Sequence, residues 1–170
     1  MYRQIRGAEV MVIGCGNVLF GDDGFGPAVI ERLQTGYRLP DGMVAVDAGT
    51  AAGELLLDAL LGDEAPRTLI IVDAMDLGLS PGTVEEIPLE AIPENKRADF
   101  SVHQFPAVDF LRELKERKGI SLRLLGCQVE SVPGEICPGL SVSVARSVGE
   151  TAENIYRMVC KEVEIQHSTI

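Results

Sequence analysis

Carboxylate and imidazole side chains stand at three points of the chain where an apolar run gives way to a loop. Asp22 and Asp23 lie in GCGNVLFGDDGFGP, Asp73 follows TLIIV, and His103 lies in SVHQFP. Carboxylates and a neutral imidazole suit a borderline divalent ion such as Ni, Zn or Mn, and not a thiolate-seeking ion. One nitrogen and two carboxylates leave coordination positions open. These residue types predict a weak metal site formed by Asp22 or Asp23, Asp73 and His103.

The loop after the first apolar run begins like a nucleotide-binding turn, but its chemistry differs. A dinucleotide fingerprint needs a third glycine where this chain has Leu19, and a Walker loop needs a lysine followed by serine or threonine, which is missing here. Two carboxylates at a helix N-terminus would also repel phosphate while interacting favourably with the helix dipole. The loop is therefore better suited to a cation.

Each of these residues also has a purely structural interpretation. Asp22 or Asp23 could cap the helix that follows, since aspartate is a favoured N-cap residue. Asp73 could accept hydrogen bonds from the backbone amides of the next turn. His103 could be a surface or capping residue, and its position at a helix N-terminus would keep the imidazole neutral.

The elements that must position these residues alternate between strand and helix patterns. Short apolar runs predict buried strands at 10–13, 43–46, 68–72 and 122–125, and an alternating pattern at 83–87 predicts an edge strand. Helical periodicity covers 27–33, 53–61, 105–119 and 140–159. This order predicts a single α/β domain over residues 1–170. Its architecture would be a three-layer sandwich, with a mostly parallel, twisted sheet of about five strands and helices on both faces.

In such sheets, ligands gather beyond the carboxyl ends of the strands, at the point where the strand order reverses. The first and third strands commonly flank that point. Asp22, Asp23 and Asp73 follow those two strands, so we expect them to converge at one edge of the sheet.

Composition narrows the classes of function. The chain has 170 residues, 46% hydrophobic content and a formal net charge of −11, which excludes a nucleic-acid partner and would favour a basic one. Its four cysteines form no C-x-x-C pair, so we expect reduced thiols without a zinc site or a disulfide framework. The N-terminal apolar run is short and lacks a cleavage site, and no run approaches the length that spans a bilayer. The expected location is cytoplasmic, with no membrane partner.

Four motifs carry a resemblance to a known family. GCGNVLFGDDGFGP, VDAGTAAGELL, IIVDAMDLGLSPGT and SVHQFPAVDFL resemble, in order and over about residues 8–150, the motifs of the NiFe-hydrogenase maturation endopeptidases. The FGDDGFGP version is most similar to the processing subunit of the methanogen hydrogenase that reduces a deazaflavin coenzyme. Members of this family remove a C-terminal extension from the hydrogenase large subunit after nickel has been inserted.

The resemblance implies an α/β fold and a site of Asp23, Asp73 and His103, which would act both as metal ligands and as catalytic residues. It implies that nickel is supplied by the large-subunit precursor, which is the expected partner, and that cleavage waits for metal insertion. Nickel would also polarise the scissile carbonyl or activate a water, two roles between which the resemblance does not decide. Many relatives have Glu at the position of Asp23 and Pro at the position of Val102.

Other protease chemistry finds little support in the sequence. Cys15 is better explained as a buried apolar cysteine than as a nucleophile, and Ser131, Ser141 and Ser143 lack a nucleophile elbow. Asp47, in VDAGT, either shapes a substrate groove or forms a backbone turn.

Two alternative functions remain at this point. A phosphorylatable receiver domain would use an acidic pair and Asp73, but the strand at 122–125 lacks the lysine that should follow it. A self-contained Zn or Mn hydrolase would need more protein ligands than one histidine and two or three carboxylates.

Overall fold

The computed structural model describes residues 7–61, 65–91 and 108–167. Its elements alternate as the sequence predicts. The strands are β1 (Val10–Cys15), β2 (Met43–Gly49), β3 (Thr68–Met75), β4 (Val84–Glu86) and β5 (Ser121–Gln128). The helices are α1 (Phe25–Gly36), α2 (Ala52–Leu61), α3 (Val108–Lys118) and α4 (Val142–His167).

The five strands form one sheet in the order β2-β1-β3-β5-β4. Neighbouring strands are parallel except for β4, which pairs antiparallel with β5 at the edge. β2 lies on one side of β1, and β3 and the remaining strands lie on the other side. The direction in which strands are added therefore reverses between β1 and β3. A ligand site is expected beyond the carboxyl ends of these two strands.

Alternation along the central strands divides the apolar residues between two cores. Met11, Ile13, Leu69 and Ile71 face the core that contains Leu55, Leu56, Leu111 and Leu114 of α2 and α3. Val10, Val12, Ile70 and Val72 face the other core, with Val29, Leu33, Ile155 and Val159 of α1 and α4. Successive strand residues point to opposite faces, so continuous apolar runs are what a sheet covered on both sides requires. The predicted three-layer sandwich is confirmed.

Differences from the sequence-based prediction concern element ends. The central strands and α1 are longer than predicted, and Leu140 precedes α4 instead of belonging to it. The predicted edge strand is confirmed as β4, although it is shorter than expected. His103 and Phe105, the first residue of the predicted helix at 105–119, lie outside the described residues.

Within the described ranges, none of the helices combines the length and the apolar character needed to cross a membrane.

Candidate active site

Two glycines allow helix α1 to approach the end of the sheet closely. A Cβ on Gly14 of β1 would lie 2.4 Å from the carbonyl oxygen of Gly26, and a Cβ on Gly26 would lie 2.2 Å from that of Cys15. Real Cβ atoms essentially never approach backbone this closely, so neither position accepts a larger residue without a backbone shift. The 3-10 turn Gly21–Gly24, which leads into α1, is thereby held against the carboxyl end of β1.

Asp23 lies in this turn and is only 1% exposed. Its Oδ2 accepts a hydrogen bond of 2.6 Å from the backbone N–H of Asn17. Gly16 has a φ of 124°, and a Cβ there would lie 1.9 Å from the carbonyl oxygen of Asp23. The turn can therefore fold back over the end of β1 only because residue 16 is glycine.

Asp73 lies near the carboxyl end of β3 and is also 1% exposed. Its Oδ1 accepts a hydrogen bond of 2.9 Å from the N–H of Ala74, whereas its Oδ2 is buried and has no hydrogen-bond partner among the described residues. Burial raises the pKa of Asp73 to about 8, and the charge of Asp23 adds to the effect, against the opposing hydrogen bond from Ala74. The backbone-acceptor interpretation of Asp73 therefore accounts for one carboxylate oxygen and leaves the other unexplained.

Asp23 and Asp73 thus form a pair of buried carboxylates at the switch point of the sheet. Two neighbouring buried carboxylates are costly when both are ionised, and either a shared proton or a cation relieves the cost. A free carboxylate oxygen is also the donor type that a divalent ion accepts. The arrangement has the chemistry to bind a proton or a metal, and the metal site predicted from the sequence stays a prediction.

Asp22, the neighbour of Asp23, has a different and structural role. Its carboxylate accepts hydrogen bonds from the backbone N–H groups of Glu130, Ser131 and Ser141 at 2.8, 3.0 and 2.7 Å, and from the Ser141 hydroxyl at 3.0 Å. These bonds join the 3-10 turn to the segment between β5 and α4. Four donors occupy Asp22, which favours Asp23 over Asp22 as the residue of the site, and the assignment of Asp23 stays a prediction. The N-cap residue of α1 is Gly24, so the prediction that an aspartate caps this helix is wrong.

His103, the predicted imidazole ligand, lies outside the described residues, so its part in the site stays a prediction. Within the described ranges, no three His, Cys, Asp or Glu side chains are grouped to hold a metal ion.

Two further residues, Cys15 and Asp47, lie near the acidic pair. Cys15 is buried, and burial raises its pKa well above the usual range, reinforced by the charges of Asp73, Asp47 and Asp23. A thiol in this setting is a poor nucleophile, in agreement with the prediction from sequence. Asp47 Oδ1 accepts a hydrogen bond of 2.9 Å from the N–H of Gly49, as the backbone-turn interpretation requires. Asp47 also lines a groove beside α1, and the use of that groove by a substrate stays a prediction.

Gln128 is a structural residue of the site that the sequence analysis missed. It ends β5, is 6% exposed, and its Oε1 accepts hydrogen bonds from the N–H groups of Leu77 and Leu79 at 2.6 and 3.1 Å. Its Nε2 donates to Asp76 Oδ1 and to the carbonyl of Val129 at 3.2 and 2.8 Å. Gln128 therefore fixes the loop that follows β3 and Asp73. The only signal in the sequence was a polar residue directly after an apolar strand.

Comparison with known proteins identifies the family. The sequence model of the hydrogenase maturation protease family matches residues 27–159 of this chain. The chain belongs to this hydrogenase maturation protease family. A Methanocaldococcus jannaschii protein that bears the same family name is 40% identical over 148 residues, covering 86% of this chain and 94% of its own. Coenzyme F420 hydrogenase subunit delta of Methanothermobacter thermautotrophicus is 29% identical over 161 residues, covering 93% of this chain and 96% of its own.

Among solved structures, the hydrogenase maturating endopeptidase HybD from E. coli superposes with a TM-score of 0.74 at 30% identity, covering 91% of this chain and 93% of its own. Membership of the hydrogenase maturation protease family makes the chain a peptide-bond hydrolase. The receiver-domain alternative is thereby overturned. The strand order also argues against a receiver domain. Receiver domains place their strands in the order 2-1-3-4-5, whereas the order here is β2-β1-β3-β5-β4, with β4 antiparallel at the edge.

Proposed function

We propose that this protein removes the C-terminal extension of a NiFe-hydrogenase large-subunit precursor once nickel has been inserted. The buried pair of Asp23 and Asp73, with Asp73 Oδ2 unpartnered among the described residues, is the observation that carries the proposal. Family membership supplies the hydrolytic activity, and His103 is proposed as the third member of the site.

The pair suits a metal that arrives with the substrate. Two carboxylates and one imidazole provide too few ligands to retain a divalent ion tightly, but enough to complete the coordination of an ion that the precursor already holds. A precursor without nickel would offer the two carboxylates no cation. Nickel insertion would therefore control binding, and hence cleavage.

The residues of this chain have distinct roles in that mechanism. The N–H of Asn17 orients Asp23, and the N–H of Ala74 orients Asp73, leaving Oδ2 of Asp73 to meet the cation or to hold a proton. The nickel itself would polarise the scissile carbonyl or activate a water. Burial strengthens each of these electrostatic interactions because little water competes for the carboxylates.

The test compares nickel-loaded and nickel-free precursor by mass spectrometry. Wild-type protein should shorten only the nickel-loaded precursor, while Asp23→Ala, Asp73→Ala and His103→Ala should lower the cleavage rate at least ~100-fold. Asp41→Ala is the matched control. Asp41 is an exposed aspartate that precedes the amino-terminal end of β2, whereas the acidic pair lies at the carboxyl ends of the strands. It should cleave at the wild-type rate.

Two results would contradict the proposal. Cleavage of neither precursor by folded wild-type protein would remove the precursor as substrate. Equal cleavage of both would leave an endopeptidase that does not sense nickel, as a self-contained metal hydrolase would behave.

The likeness to coenzyme F420 hydrogenase subunit delta supports a narrower proposal, that the precursor belongs to a deazaflavin-reducing hydrogenase. A cytoplasmic location is proposed with it, because the precursor is processed where nickel is inserted. Parallel digests of precursors from deazaflavin-reducing and other NiFe hydrogenases would test the narrower assignment.

A further inference from the structure

Exposed apolar side chains are concentrated on segments that adjoin the 3-10 turn containing Asp23. Within the described residues, six large hydrophobic side chains are exposed, and four of them lie on two adjoining segments. Val18 and Leu19 are 53% and 42% exposed, and Ile136 and Val142 are 70% and 68% exposed. An apolar concentration of this kind on one surface is typical of an interaction site.

The two segments, 17–21 and 131–142, are joined by backbone hydrogen bonds. The N–H of Cys137 donates to the carbonyl of Leu19 at 2.8 Å, and the N–H of Gly21 donates to the carbonyl of Cys137 at 2.9 Å. The carboxylate of Asp22 accepts four more hydrogen bonds, three from Ser131 and Ser141 of the second segment and one from Glu130, which precedes it. The apolar side chains are thus presented on a fixed backbone, and we call this surface the paired-loop surface.

A groove of about 390 Å³ runs beside the 3-10 turn that contains Asp23, and both segments of the paired-loop surface contribute to its lining. Val18 and Leu140 line it from the two segments, Ile30 lines it from α1, and Asp47 lines it from β2. Gly21 and Gly24, the two ends of the 3-10 turn that contains Asp23, also line it. A peptide seated in this groove would therefore pass along the turn that carries Asp23.

We propose that the paired-loop surface and its groove bind an apolar segment of the hydrogenase large-subunit precursor that lies next to the scissile bond. This inference rests on the proposed function, because it takes the precursor as the substrate. The precursor must cover the surface that surrounds Asp23, and burying an apolar segment here would remove four exposed hydrophobic side chains from water. The acidic pair would then select for nickel, while the paired-loop surface would hold the chain to be cut.

The proposal is tested by replacing the two most exposed apolar side chains of the paired-loop surface, which contribute little to the folded core. Ile136→Gln and Val142→Gln, singly and together, should raise KM and the dissociation constant for nickel-loaded precursor, about 10-fold for the double variant, with kcat unchanged. Leu57→Gln is the control, because Leu57 is 45% exposed on α2, which covers the opposite face of the sheet from α1. Thermal unfolding should show that all variants remain folded.

Binding and cleavage separate this proposal from the function on which it rests. Wild-type cleavage with equal KM for the double variant and Leu57→Gln would overturn the docking surface and leave the function standing. Binding that depends on Ile136 and Val142 without cleavage would keep the surface and remove the function. Loss of both binding and cleavage in wild-type protein would overturn the two together. A concentration-dependent wild-type dimer that the double variant abolishes would also overturn the proposal, since a second copy of this chain would then occupy the surface.

Discussion

At the scale of single residues, Asp22 and Asp23 are adjacent and chemically identical, yet their carboxylates have different surroundings. Asp22 meets four hydrogen-bond donors, three of them backbone N–H groups that cannot turn away. Asp23 lies beside another carboxylate, whose pKa it helps to raise. Hydrogen bonds favour the ionised form of a carboxyl group and a neighbouring negative charge opposes it. Asp22 is therefore a stabilising anion, whereas Asp23 is the aspartate that we propose for the site.

Asp22→Asn should destabilise the protein by about 3 kcal/mol at pH 7, because an amide nitrogen would face donors and leave buried N–H groups unpaired. Burial acts to raise the pKa of Asp22, but hydrogen bonds from Ser131, Ser141 and Glu130 outweigh it and lower the pKa. A lowered pKa contributes stability above the unfolded value of about 4 and loses it as the pH falls through the folded value. Urea unfolding at pH 7 and pH 3 should therefore show that the cost of the substitution shrinks in acid.

Asp41→Asn controls for the removal of one negative charge, since Asp41 is exposed. A cost for Asp22→Asn no larger than for Asp41→Asn at pH 7 would contradict the anchoring role of Asp22.

Asp73→Asn should raise stability and abolish cleavage. With a folded pKa of about 8, Asp73 keeps its proton in the native state while the unfolded chain releases it. Stability is therefore lost as pH rises from about 4 to about 8, and the neutral amide avoids this loss, by up to ~5 kcal/mol at pH 8. Thermal unfolding of both proteins from pH 4 to pH 8 measures the difference. Parallel pH profiles would show that Asp73 does not titrate in this way.

At the scale of elements, the site depends on how closely α1 and the β3–β4 loop are held against the sheet. Glycines at positions 14 and 26 remove the side chains that would keep α1 away from β1. Gln128 uses both ends of its amide to hold residues 76–79. Each of these two features sets the position of the backbone that carries an aspartate of the pair.

Gly26→Ala should destabilise the protein by about 3 kcal/mol, because its Cβ would overlap the backbone of Cys15 and Val72. Gly53→Ala is the matched control, since Gly53 lies in helix α2 with nothing within 4 Å of the added Cβ. It should stabilise the protein by about 0.5–1 kcal/mol, since alanine loses less backbone entropy in a helix. Urea midpoints measure both effects, and equal shifts would refute the close approach of α1.

Gln128→Leu should speed hydrogen exchange at the amides of Leu77 and Leu79 by about 10-fold, because their acceptor is lost. Gln34→Leu is the comparison, because Gln34 Nε2 donates a 2.8 Å hydrogen bond to the carbonyl of Ala45 and not to the loop after β3. It should leave Leu77 and Leu79 unchanged. Mass spectrometry of exchanged peptides from 75–80 gives the readout, and unchanged exchange in Gln128→Leu would mean that other contacts hold this loop.

At the scale of the whole molecule, two apolar cores share one sheet. Each central strand contributes alternate residues to both cores, so neither core can open without exposing the strands of the other. This arrangement agrees with the single domain predicted from sequence, which stays a prediction until unfolding is measured.

Calorimetry should show one transition whose calorimetric and van't Hoff enthalpies agree. Leu56→Ala in one core and Leu33→Ala in the other should each cost about 2–5 kcal/mol, since both side chains are fully buried. Each should move the same single transition to lower temperature. Two separable transitions, one sensitive to each substitution, would instead indicate two independently folding units.

Local chemistry made much of this molecule predictable. Runs such as TLIIV are buried on both faces, so composition and length are enough to place them as central strands. Parallel strands bring their carboxyl ends to one edge, so the position of Asp23 and Asp73 after β1 and within the end of β3 already implied that they meet. The glycine-rich loop after β1 likewise signalled a tight turn.

The sequence by itself therefore determined the layered architecture, the acidic character of the site and the family to which its motifs belong. Only the tertiary structure decided that Asp22 anchors the 3-10 turn, that Gln128 holds the loop after Asp73, and that β5 lies between β3 and β4. The reason is distance along the chain. The donors to Asp22 lie 108 to 119 residues away, and those to Gln128 lie 49 and 51 residues away. A hydrogen-bond partner so remote leaves no local pattern and is specified only by how the elements pack.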